Sequence, residues 1–205
     1  MRYIAAFLLL CPSLVLAQAK PTAKAARPVV KAVSATVTDV KGVAAEVTDI
    51  HARYVDERDG DRRLASDDIA ALVIEVQVQE GRIRATESLR YAFTDLVKLT
   101  FLENFNFEFS RRNGNVVSVT WLMKPDWTPD QQYALVERDP SGKVVRERKF
   151  QDYVLATTKQ DGVVAGAAVM RRMRLSGFTG QAKMSSGHSG DFYIYRDEVR
   201  TIEFR

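Results

Sequence analysis

The chain of 205 residues holds one cysteine and two histidines, and each scarcity excludes a class of chemistry. Cys11 lies in an apolar N-terminal stretch, Ile4 to Leu10 and on through Leu14, Val15 and Leu16, behind Arg2 and ahead of Ala17-Gln18-Ala19. A positive residue, a short apolar run and a small-residue cleavage pattern, in that order, read as an export signal over residues 1–19. The run from Tyr3 to Ala17 is shorter than the roughly 20 residues a spanning helix needs. Leu8-Leu9-Leu10 also lack the small residue that a lipid-attached cysteine wants before it. Cleavage leaves no cysteine, which excludes disulfides, thiol catalysis and cysteine-ligated metals. The expectation is therefore an exported protein, periplasmic or extracellular, with no transmembrane span after cleavage and only core packing to hold it together.

Glycine (11) and proline (6) are too few for a collagen-like or linker-dominated chain. With 46% apolar and 27% charged residues, neither a disordered polymer nor a multispan membrane protein fits. Acidic residues are missing from residues 1–31, which carry Arg2, Lys20, Lys24, Arg27 and Lys31. The remaining 25 basic side chains face 26 acidic ones, so residues 32–205 carry −1 and the overall +4 belongs to the N-terminal region. A fold without a concentrated basic face argues against a nucleic-acid partner. Residues 20–34, KPTAKAARPVVKAVS, read as a flexible basic tail.

Beyond residue 34 the chain is dominated by alternation. Leu72, Ile74, Val76 and Val78 alternate with Val73, Glu75, Gln77 and Gln79 as in a half-buried strand. Val97-x-Leu99-x-Phe101, Phe105-x-Phe107-x-Phe109 and Ile202-x-Phe204 continue the pattern. Turn signals separate the runs at Lys41-Gly42, Glu80-Gly81, Asn113-Gly114, Asp139-Pro140-Ser141-Gly142 and Asp161-Gly162. Ser66-Asp67-Asp68 ahead of Ile69-Ala70-Ala71 suggests the cap of one short helix. Around Asn113-Gly114, a loop of odd length pairs Phe109 with Val119, Phe107 with Trp121 and Phe105 with Met123. That puts the large apolar groups on one core-facing side, so a three- or five-residue loop is expected. TDLVKLTF (94–101) aligns with DEVRTIEF (197–204), and ATVTDVKGVAAEV (35–47) with ALVERDPSGKVVRER (134–148), as an internal repeat.

The expected fold is mainly antiparallel β: a sandwich, or two related small β-subdomains sharing a sheet, with roughly ten strands and at most one or two short helices. Residues 35–104 would form the first half and 105–205 the second, with 35–205 as one domain the alternative.

Catalytic sets are hard to assemble from these residues. His51 follows the strand-like EVTDI and reads as a strand-end residue, while His188 in SSGHSGD reads as part of a hairpin connection. No G-x-S-x-G is present. Two separated histidines do not supply a zinc set, and DERDGD (56–61) has Arg58 among its would-be calcium ligands, so neither a metal nor a cofactor is expected. LSGFTGQAK lacks the spacing of a phosphate loop.

The segment WLMKPDWTPDQQY (121–133) concentrates both tryptophans with Tyr133. Trp127, flanked by Lys124, Asp126 and two prolines, would present a flat platform for a sugar ring or a partner's apolar side chain, against the blander reading of an aromatic plug on the sheet end. In DFYIYRDE (191–198), Phe192 and Ile194 should be buried while Tyr193 and Tyr195 face outward. The candidate binding residues are Lys124, Asp126, Trp127, Tyr133, Tyr193 and Tyr195. These features point to an exported, non-catalytic β-rich protein binding an envelope protein or glycan. The alternatives are a secreted hydrolase with a carboxylate or Ser/His site, and a small outer-membrane β-barrel.

Overall fold

A computed structural model describes residues 32–56, 66–80, 82–122, 131–184 and 186–205. These residues form one compact unit. Among the described residues fourteen strands, against the roughly ten expected, run in chain order: β1 (Ala35–Asp39), β2 (Ala44–Val55), β3 (Ser66–Ile69), β4 (Ala71–Glu80), β5 (Ile83–Ala92), β6 (Leu96–Phe101), β7 (Phe107–Arg111), β8 (Val116–Trp121), β9 (Tyr133–Arg138), β10 (Val144–Phe150), β11 (Asp152–Val164), β12 (Ala167–Lys183), β13 (Ser189–Tyr195) and β14 (Val199–Phe204). The only helical pieces among the described residues are single 3-10 turns, Phe93–Asp95 and Arg196–Glu198. No helix among them is long and apolar enough to cross a membrane.

Every strand pairs antiparallel within one sheet, in the order β10-β9-β8-β7-β6-β14-β1-β2-β12-β11-β4-β5, with β13 on β12 and β3 on β2. The sheet curls over itself. Arg146 and Arg148 of β10 reach Glu87 of β5 at 3.7 and 2.5 Å, so the two ends of the sheet approach one another. The inner faces of distant strands meet in a single core. Tyr91 of β5 packs edge-on to Phe109 of β7 at 4.6 Å, and Tyr153 of β11 lies 5.6 Å from Phe107. Phe93, Phe178 and Phe204 fill the middle. This is the expected mainly-β, sandwich-like architecture, in which alternating apolar residues remove one face of most strands from water.

Local signals account for the hairpins. At the β1–β2 turn the Asp39 carboxylate accepts from the N–H groups of Lys41 and Val43, both at 2.8 Å. At the β9–β10 turn Asp139 accepts from Ser141 and Lys143 at 2.9 and 3.0 Å. Gly42 and Gly142 both take φ +84°, a left-handed conformation that only glycine adopts without strain. The two aligned closing segments also share local form: each is a 3-10 turn entering a strand, and β6 and β14 lie side by side with Ile202 opposite Leu99. In the sheet, however, β14 neighbours β1, and β6 neighbours β7. The hairpin β7–β8 thus occupies the place matching β1–β2, which the sequence alignment assigned to β9–β10.

Several expectations are corrected. Ser66-Asp67-Asp68 does not cap a helix; it is strand β3, where Asp68 pairs with Arg53 and Asp67 with Lys159. Asp161-Gly162 is no turn but a bulge inside β11, and the reversal comes at Ala165-Gly166, both left-handed. The Arg111 N–H bonds the Asn115 carbonyl at 2.8 Å and leaves the three residues Arg112-Asn113-Gly114 as the β7–β8 loop, an odd number as parity required, but the register is displaced by two: Phe107 faces Val119 and Phe109 faces Val117. The displacement keeps both rings on the core side. β4 is buried on both faces from Ala71 to Val76, because Thr158 of β11 and Arg172 of β12 cover its outer side and bond to Glu75 at 3.0 and 2.9 Å. Val97 is exposed because a bulge between Leu96 and Lys98 breaks the alternation. His51 sits within β2, not at its end.

Candidate functional site

Phe105 departs most from expectation. Alternation placed it on the core face with Phe107 and Phe109, yet it is 74% exposed. The chain reverses between β6 and β7 by a turn closed from the Asn106 N–H to the Glu103 carbonyl at 3.1 Å. Its two central residues, Asn104 (φ 56°) and Phe105 (φ 60°), are both left-handed. Turns of this kind match the twist of flanking strands and strongly prefer Asn-Gly. Asparagine tolerates the first position, but a phenylalanine at the second is strained and holds its ring in solvent.

That ring stands at the rim of a groove of about 460 Å³ lined by Tyr133, Tyr153, Leu155, Leu175, Arg174 and Arg196, with Asp152 and Asp197 at its margin. The Tyr153 hydroxyl donates to the Phe105 carbonyl oxygen, tying β11 to the strained turn. Tyr133 and Tyr153 meet edge to face at 5.1 Å. The Arg196 guanidinium lies 4.2 Å over the Phe101 ring, and its burial lowers its pKa, with Tyr153 and Asp197 opposing that shift. Burial likewise raises the Tyr133 hydroxyl above its ordinary value, with a contribution from the Asp152 charge, and raises Tyr153 strongly. Both phenols therefore remain neutral donors at physiological pH. Flat rings, guanidinium donors and carboxylate acceptors together can stack on a ring and hydrogen-bond its substituents.

A second, more polar groove lies on the outer face of β2, β12 and β13, lined by Asp49, His51, Arg53, Asp68, Gln181, Asp191 and Tyr193 among others. Arg53 makes paired bonds to Asp68, both 2.9 Å, which hold its pKa above the ordinary value. Tyr193 and Tyr195 are exposed and meet edge to face at 4.9 Å, while Phe192 and Ile194 pack inward. Gly177 on β12 permits this layer, since a Cβ there would collide with the Ile194 carbonyl oxygen.

The sequence-predicted residues are thus divided. Tyr133 lines the first groove, Tyr193 lines the second and Tyr195 stands beside Tyr193. Lys124, Asp126 and Trp127 lie outside the described residues, as does most of the DERDGD segment. His188 is exposed in the β12–β13 loop, with Ser186 Oγ 3.4 Å from its Nδ1. Among the described residues no three His, Cys, Asp or Glu side chains converge as a metal site. Phe105, Tyr153 and Arg196 went unrecognised as a site in the sequence. The available signal was Asn104-Phe105-Asn106, a phenylalanine between two turn-forming asparagines. Comparison with protein families, curated proteins and solved structures finds no match.

Proposed function

We propose that this protein is exported and acts without catalysis, binding an envelope component, a glycan or a protein, at the groove lined by Phe105, Tyr133, Tyr153 and Arg196. The observation that carries the reading is Phe105 itself. A phenylalanine at a left-handed turn position, with most of its ring in water, costs folding energy and contributes little to the core. Such strain is accounted for when the ring serves a ligand. The neighbouring tyrosines supply further stacking surface, and Arg196, Asp152 and Asp197 supply polar contacts of both signs, as a ring-bearing ligand with hydroxyl or amide groups requires. Export rests on the N-terminal pattern of residues 1–19.

The test is co-sedimentation of the protein with the insoluble glycan fraction of its host envelope, alongside retention on beads carrying the solubilised envelope proteins. Phe105→Ala and Tyr133→Ala should each weaken retention about tenfold in the arm that binds, the size expected for an aromatic contact residue. Retention in neither arm, or equal retention of wild type and both variants, overturns the proposal.

A further inference from the structure

The β11–β12 hairpin continues past the body of the sheet. The pairing of β11 with β4 ends at Leu155, and that of β12 with β2 ends at Arg174. The hairpin then runs on as two strands, Gln160 opposite Met170, Val163 opposite Ala168 and Val164 opposite Ala167. Its base is anchored by ion pairs: Arg172 to Glu75 at 2.9 Å, Lys159 to Asp67 at 3.5 Å, and Arg171 to Asp161. Beyond the Asp161–Arg171 pair, the nine residues Gly162 to Met170 read GVVAGAAVM, without a charge or a polar side chain. All nine are exposed, with Val163 at 63%, Val164 at 66% and Met170 at 52%.

A strand that docks on a protein is apolar on one face and polar on the other, because successive side chains point to opposite sides. Here both faces are apolar, so any partner must surround the tip. Nine residues also fall well short of the roughly 20–30 a side that a stable protein interface or dimer uses. A lipid boundary meets both conditions: it closes around an object from all sides and needs no complementary shape. The hairpin satisfies its inward backbone groups by its own ladder, and its outer edges limit it to shallow entry, where headgroups and water still reach them. Three residues of strand reach about 10 Å, close to the depth of roughly 5–10 Å at which interfacial segments sit. The ion-paired ring at the base would lie at headgroup level. We infer that the Gly162–Met170 tip inserts into the interfacial layer of a lipid bilayer and holds the domain against a membrane surface. This inference is independent of the groove at Phe105.

A site-specific label reads insertion without interference from the N-terminal apolar stretch. In the full chain carrying Cys11→Ser, an environment-sensitive fluorophore is placed at Val164→Cys, or at Ser141→Cys in the β9–β10 turn as control. Each is titrated with mixed phosphatidylcholine and phosphatidylglycerol vesicles. The expected result is a blue shift at position 164 that appears only with vesicles and is quenched by shallow nitroxide lipids, with no shift at position 141. With the label at Ala168→Cys, Val163→Asp should raise the lipid concentration for half-maximal shift by at least about tenfold. No shift at 164 overturns the inference. So does a shift at 164 without vesicles, which would mean that a second copy or the N-terminal segment already covers the tip, and so does an equal shift at both sites.

Discussion

Replacing Phe105 by glycine and by alanine isolates the strain at the rim of the groove. Both substitutions remove the same ring, so the loss of its small covered fraction cancels in the comparison. Alanine keeps a Cβ in the left-handed region, which costs roughly 1–2 kcal/mol. Glycine relieves that cost but adds roughly 0.5–1 kcal/mol of unfolded-chain entropy. At an ordinary strand or helix position glycine is the less stable of the two. At Phe105, with φ 60°, the order should invert, glycine being more stable than alanine by about 0.5–1 kcal/mol. For a domain of this size that is about 1–4 °C in Tm, measurable by circular dichroism with urea titration as a check. Phe105→Asn should also exceed alanine, since asparagine tolerates the left-handed region without glycine's entropy. All three variants should lose the ligand contact alike, separating the energetic role of the backbone from the binding role of the ring. Alanine equal to or more stable than glycine would refute the strain, and with it the observation on which the proposed binding site rests.

Two further predictions test the architecture that holds the site. The Tyr54 hydroxyl, fully buried, donates to the Ala71 carbonyl at 3.2 Å and accepts from the Val73 N–H at 2.9 Å, joining β2 to β4. Tyr54→Phe leaves both backbone groups unpaired and should cost about 1–3 kcal/mol in urea unfolding, whereas a cost under about 0.5 kcal/mol would mean that water replaces the hydroxyl. Burial pushes the Glu137 pKa upward, but hydrogen bonds from Asn115 (2.7 Å) and Arg111 (2.9 Å) and the charges of Arg111 and Arg146 outweigh it, and the net is a lowered value. Because the folded pKa lies below the unfolded one, this stabilisation is complete above the ordinary carboxylate range and is lost as pH falls through the folded pKa. The stability gap between wild type and Glu137→Gln should therefore be largest at neutral pH and shrink on acidification, and a gap that widens on acidification would contradict the sign.

Mainly-β character was written into the chain by alternation and turn chemistry, both of which act within a few residues. Asp39-x-x-Gly42 and Asp139-x-x-Gly142 build their turns from local hydrogen bonds and one left-handed glycine, so their sequence is their structure. The odd loop length at Arg112-Asn113-Gly114 followed from putting the large apolar residues of the partner strand on the same face as Phe107 and Phe109, and the outward Tyr193 and Tyr195 followed from period two. Only the tertiary structure decided which strands became neighbours. β2 pairs with β12 and β4 with β11, partnerships between residues far apart in the chain that depend on how the whole core packs. Those partnerships bury Glu75 against Arg172, where alternation alone expected an outward face. They bring Arg196 and Tyr153 to the same groove from separate strand ends. The Phe105 turn shows the same division of labour. Nothing local asks a phenylalanine to be left-handed; the adjacency of β6 and β7, with only Leu102 to Asn106 to join them, forces the tight reversal and turns the ring outward.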